Sequence, residues 1–131
     1  MKLSFAATYA LRAVVYMAAQ KETRSVSSQE IAKKRELPER FLLKVLKPLV
    51  SAGILQSVRG PGGGYRLARP ATKITLLEVV EAVDGHIRGE APYEGVNTGG
   101  LQKKIENVCK QAAELVRRQY QKVRISNLLG K

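Results

Sequence analysis

Three cations and a glycine turn are the side chains here whose type and spacing promise specific chemistry. Arg40, Lys44 and Lys47 recur at intervals of four and three, which places them on one face of a helix. Leu42, Val45, Leu46 and Leu49 recur at helical spacing on the opposite side. Further on, Arg59 stands immediately before Gly60-Pro61-Gly62-Gly63-Gly64. A helix with a basic outer face fits the DNA major groove, where each base pair shows a distinct pattern of donors and acceptors. An Arg at the edge of a glycine turn suits the narrow, electronegative minor groove.

Other chemistries find little support. A Ser-His-Asp or Cys-His set would rest on His86, the single histidine, so no enzyme is expected. The glycines do not form GxxxxGK[ST], and GPGGGY follows a strand-like run without opening a helix, which argues against a phosphate-cradling loop. Cys109 is the single cysteine, so there is no intrachain disulfide framework. That fits a reducing compartment, and a cytoplasmic location is expected. Cys109 has three readings: a small packed hydrophobe beside a helix seam, a thiol sensor, or half of a disulfide between two copies. Nearby Lys110 can lower the thiol pKa only weakly.

The charge balance agrees with the basic face. Lys and Arg number 23 against 11 Asp and Glu, a formal +12 over 131 residues. Such a field attracts polyanions, and nucleic acid, an anionic membrane surface and a merely basic soluble protein all answer to it. The stretch LSFAATYALRAVVYMAAQ after Lys2 has the composition of a signal peptide, but Arg12 interrupts it and it is too short to span a bilayer. No membrane partner is expected.

These residues need a scaffold, and the length suggests one domain with an appendage. Leu3, Ala7, Ala10, Leu11, Val14, Val15 and Ala18 fall on one helical face, predicting a first helix over 4–20. Ser27 or Ser28 can cap the next helix, SQEIAKKREL, and Glu30 three residues after Ser27 predicts a capping box. Pro38 is expected at the first position of a third helix, and Gly53 beyond its end. ILQSV and RLARP, separated by the glycine cluster, read as a hairpin. Thr75 caps a fourth helix that Asp84-Gly85 ends. Residues 86–100 carry four glycines and a proline and read as a loop. Leu101, Ile105, Val108, Ala112 and Leu115 then recur with 4-3-4-3 spacing, a heptad-like seam that wants a partner helix. The apolar-basic tail KVRISNLLGK is expected to fold back on a partner.

LVSAGILQSVRGPGGGYRL, with KLSFAATYALRAVVYMA, SSQEIAKKRELPERFLLKVLKPL and ITLLEVVEAVDG, strongly resembles the Rrf-two (Rrf2) family of bacterial winged-helix regulators, the IscR/NsrR-like group. The resemblance covers nearly the whole chain. It implies a mainly α fold with a small β-wing: a winged helix-turn-helix over 1–84, a loop over 85–100 as a candidate sensor region, and a dimerisation helix and tail over 101–131. By the same resemblance Pro38, Glu39, Arg40 and Lys44 read bases, and Arg59 and Gly60 enter the minor groove. Ser28, Gln29, Lys47, Tyr65 and Arg66 hold phosphates, with Lys2 and Tyr9 helping from the first helix. The alternatives are a solvated basic face and, for Tyr9 and Tyr65, plain packing.

Many family members ligate an iron–sulfur cluster with three cysteines in the loop and the start of the long helix. This chain departs from them, having no cysteine between 86 and 108. No cofactor or metal is therefore expected. His86, Glu90, Glu94 and Cys109 remain as a remote alternative ligand set, and His86 is otherwise a loop residue. The expected function is a sequence-specific DNA-binding transcription regulator, a homodimer on a pseudo-palindromic operator and a repressor by default. Alternatives are a thiol- or small-molecule-responsive regulator using Cys109 or the loop, and a basic partner-binding protein without DNA readout. The effector is not legible.

Overall fold

The computed structural model describes residues 2–21, 24–96 and 99–130. Helix α1 spans Phe5–Ala18, its first turn closed by the Ser4 hydroxyl accepting from the Ala7 N–H at 3.0 Å. Its buried side carries Ala7, Ala10 and Ala13 together with Val14 and Met17. Three alanines add nothing beyond Cβ, so the helices over 39–51 and 76–84 can pack close to the α1 backbone.

Helix α2 (Ser28–Arg35) is capped by Ser27, whose hydroxyl accepts from the Glu30 N–H at 3.1 Å. Only this half of the predicted capping box forms. The Glu30 carboxylate turns instead to the Arg24 guanidinium at 2.7 Å and the Tyr16 hydroxyl at 2.5 Å, which tie α2 to α1. A charged donor outbids a backbone N–H for that carboxylate. The helix stops at Glu36, in the left-handed conformation with φ of 54°. Leu37, just beyond, is buried in the core.

Helix α3 (Glu39–Ser51) begins one residue later than expected, with Pro38 as its extended cap. Leu42, Val45, Leu46 and Leu49 are buried, as their spacing requires. Pro48 lies inside the helix and removes one N–H from its ladder. Strands β1 (Leu55–Val58) and β2 (Gly64–Leu67) pair antiparallel, from Leu55 opposite Leu67 to Val58 opposite Gly64. The second strand thus starts earlier than the RLARP reading. The reason is Tyr65, which exchanges two backbone hydrogen bonds with Val26 at 2.7 and 2.8 Å. A side chain at Gly64 would collide with the Val26 carbonyl, and φ there is 148°, so glycine is required for the strand to lie against the α2 approach.

Helix α4 (Leu76–Asp84) has the full capping box. The Thr75 hydroxyl accepts from the Glu78 N–H at 3.1 Å, and the Glu78 carboxylate accepts from the Thr75 N–H at 3.0 Å. Helix α5 (Gly100–Gln121) is the longest element. Beyond it a short 3-10 turn, Ile125–Leu128, packs on its own chain. Its Ile125 N–H donates to the Ile74 carbonyl at 2.9 Å, the Leu76 N–H donates to the Val123 carbonyl at 2.8 Å, and Ile125 is fully buried. Sequence period cannot show which surface receives such a tail. The core is one layer of α1, α3 and α4 side chains closed by Val26, Ile54, Leu55, Ile74 and Ile125.

Candidate nucleic-acid interface

The burial of Leu42, Val45, Leu46 and Leu49 fixes the rotation of α3, and Arg40, Lys44 and Lys47 face solvent in consequence. Helix α2 packs across α3, and β1 leaves α3 through Gly53, where φ is 75°. Arg59 and Gly60 follow β1 directly and are exposed in the wing turn. Val58 and Gly60 carbonyls crowd the place of a side chain on Gly63, and the Gly63 N–H donates to the Gly60 carbonyl at 2.9 Å. This closed turn presents Arg59 on a narrow tip.

Among the described residues, none of the ion pairs involves Arg40, Lys44, Lys47, Arg59 or Arg66. Lys44 has its ammonium 5.5 Å from the centre of the Phe41 ring, a cation–π distance. Arg66 donates to the Gln56 side chain across the hairpin at 3.1 Å. Pro38 is exposed, and Glu39 is half-buried, accepting from the Ser28 hydroxyl at 3.0 Å. That bond joins the starts of α2 and α3, so Ser28 and Glu39 act as a pair. Gln29 is exposed in the first turn of α2, where backbone N–H groups favour an anion.

Tyr65 lies in the wing strand beside Arg66, while Tyr9 lies in α1 and Lys2 just before it. Tyr65 is half-buried in the strand that meets Val26. Tyr9 packs against the core, its ring 6.3 Å from that of Phe5. Lys2 borders a cleft formed by the end of α4, residues 85–90 and α5. Two exposed apolar residues of α3, Phe41 and Leu43, escaped the sequence reading. Their positions off the core stripe were the available signal.

Cys109 and His86 border that same cleft, whose volume is about 780 Å³. The loop crosses α5 there so closely that Gly89 lies against the Cys109 carbonyl. His86 is also held in a network, its Nδ1 3.3 Å from the Glu81 carboxylate, which Arg117 reaches at 3.2 Å and the Ile87 N–H at 2.8 Å. Burial alone pushes the Glu81 carboxyl up, but the Ile87 N–H, Arg117 and His86 outweigh it and hold the carboxyl below its ordinary value. On α5, Leu101, Ile105, Val108, Ala112 and Leu115 all face solvent.

Five helices with a two-stranded wing, a basic third helix and an arginine at the wing turn define a winged helix-turn-helix protein. The chain belongs to the Rrf2 family, described as an iron-dependent transcriptional regulator, which matches residues 3–130. It is 40% identical over 102 residues to the HTH-type transcriptional regulator IscR of Cereibacter sphaeroides, covering 76% of this chain and 64% of that one. It is 44% identical over 84 residues to the protein aau3 of Rhizobium meliloti, covering 64% and 54%. The structure of CymR, the global cysteine regulator of B. subtilis, superposes with a TM-score of 0.77 at 23% identity, over 98% of this chain and 95% of CymR. The chain thus spans a little over half to about two thirds of the length of these curated relatives.

The iron in the family's description can be tested against the donors present. Among the described residues no group of three His, Cys, Asp or Glu side chains is arranged to hold a metal ion. Thiolate-held clusters need several cysteines, and Cys109 is alone. The residues of this chain do not fit such a group. No helix among the described residues is long and apolar enough to cross a membrane.

Proposed function

We propose that this chain is a sequence-specific DNA-binding transcription regulator that acts as a homodimer on a pseudo-palindromic operator and represses by occupying it. The observation that carries this reading is the outer face of α3. Arg40, Lys44 and Lys47 stand exposed without acidic partners among the described residues, and Arg59 repeats the arrangement at the wing. Cations left unpaired by their own fold are free to replace counterions on phosphates. Family membership supports the same function.

Dimerisation is supported by the α5 seam. Leu101, Val108 and Leu115 are 72%, 64% and 62% exposed, and Ile105 is 42% exposed. A stripe of this kind calls for a second helix, and a second copy supplies a self-complementary one. The sensing role is assigned to the cleft beside Cys109 and His86, where residues 85–90 lie across α5.

The test is duplex binding followed by fluorescence anisotropy. Duplexes enriched from a random library by the full chain should share a two-fold sequence. Their affinity should fall steeply with salt, by about a thousandfold or more between roughly 50 and 200 mM for six or more phosphate contacts. Enrichment of no sequence, or binding indifferent to salt, overturns the reading.

A further inference from the structure

Leu43 breaks the pattern of α3. The four apolar residues that build the core side of this helix are 0–5% exposed, whereas Leu43 is 45% exposed. It follows Arg40 by three residues and precedes Lys47 by four, so it lies between those two cations on the outward strip. Lys44 is drawn aside over the Phe41 ring, which leaves Arg40, Leu43 and Lys47 as an open row. A single exposed leucine on a polar surface is ordinary. This one stands in the opening turns of the helix that the DNA-binding reading lays in the major groove, where the first residues face base edges.

Chemistry narrows what it can meet there. A leucine side chain neither donates nor accepts a hydrogen bond. Pressed onto guanine N7 and O6, adenine N7 and N6 or cytosine N4, it strips water from a polar edge and returns nothing. The major-groove edge holds one apolar feature, the C5-methyl of thymine. From this, and resting on the DNA-binding reading above, we infer that Leu43 is a specificity-determining residue that selects thymine at one position of each half-site through its methyl group. Arg40 and Lys47 on either side fix the register by holding polar base edges or phosphates.

The experiment replaces thymine with deoxyuridine, which removes only that methyl. In the enriched duplex each thymine of a half-site is replaced in turn, and affinity is measured for the full wild-type chain and for Leu43→Ala. Leu43 is half exposed, so the variant should keep its fold, checked by circular dichroism. The expected result is one position where deoxyuridine weakens wild-type binding roughly fourfold per half-site, the scale of one buried methyl, and where Leu43→Ala shows no such loss. Wild-type affinity unchanged at every replacement overturns the inference while DNA binding stands. The same loss in Leu43→Ala also overturns it, since another residue then reads the methyl. If no duplex is enriched at all, the DNA-binding reading fails and this one with it.

Discussion

Leu115→Ala tests the dimer seam. Leu115 is 62% exposed in the protomer, so a partner helix covering it removes about three fifths of a leucine side chain from water. Full burial of such a side chain is worth about 1.5–3 kcal/mol, and the covered share therefore comes to about 1–2 kcal/mol. Two-fold symmetry repeats the loss in the second copy, for about 2–4 kcal/mol per dimer. The dissociation constant of the dimer should rise roughly 30- to 700-fold. Sedimentation equilibrium over a wide concentration range measures it directly. The protomer itself should be undisturbed, because Leu115 is not part of the core, and an unchanged unfolding midpoint of the dilute monomer checks this. A dissociation constant altered by less than about threefold would refute the placement of Leu115 against a partner helix, since burying its exposed share is worth more than that.

Three further outcomes are expected. Arg59→Ala should weaken binding to the enriched duplex by about 1–3 kcal/mol in anisotropy titrations, and unchanged affinity would remove Arg59 from the interface. Gly64→Ala should shift the denaturant midpoint downward by at least about 1 kcal/mol of stability, because the added methyl meets the Val26 carbonyl; a variant as stable as wild type would contradict the described contact. Glu81 is held below its ordinary value of 4.5 in the folded chain, so its contribution is present above about that pH and is lost as pH falls through the lower folded-state value. The stability gap between wild type and Glu81→Gln should accordingly be largest near neutrality and shrink below about pH 4.5 in urea titrations, and a gap independent of pH would show that the network around Glu81 is not electrostatic.

Periodic signals carried most of the fold. The apolar spacing of α3 and α5 and the Thr75–Glu78 capping box depend on neighbours within a turn or two, which sequence displays directly. What escaped was decided by long-range competition. Glu30 sits at the correct offset for a second capping box, yet Arg24 and Tyr16 take its carboxylate. The Ser28 hydroxyl donates to Glu39 from eleven residues away, a pairing that local spacing does not display. The tail is apolar and basic, and its Ile125 is buried beside Ile74 of its own chain, a choice of surface that composition does not display. At the interface, Pro38, Arg40, Lys44, Lys47, Arg59 and Gly60 are exposed, whereas Glu39, Tyr65 and Arg66 are half-buried and Lys2 lies beside the α5 cleft. The side chain that sets α3 apart, Leu43, was hidden because an apolar residue in an apolar-rich helix draws no notice until its exposure is seen.

The anchoring of the tail gives α5 the mechanics of a lever. Backbone bonds from residues 123–125 to residues 74–76 tie its C-terminal end to the start of α4, and Arg117 adds a clasp to Glu81. The opposite end meets the loop, with Gln102 donating to the Ala91 carbonyl at 2.7 Å. A 22-residue helix is about 33 Å long, so a tilt of about 5° about the anchored end displaces the far tip by about 3 Å. A tilt produced by repacking of residues 85–91 would therefore grow along α5 toward its N-terminal end. In the proposed two-fold assembly, the spacing of the two α3 helices would follow the angle at which two such arms cross.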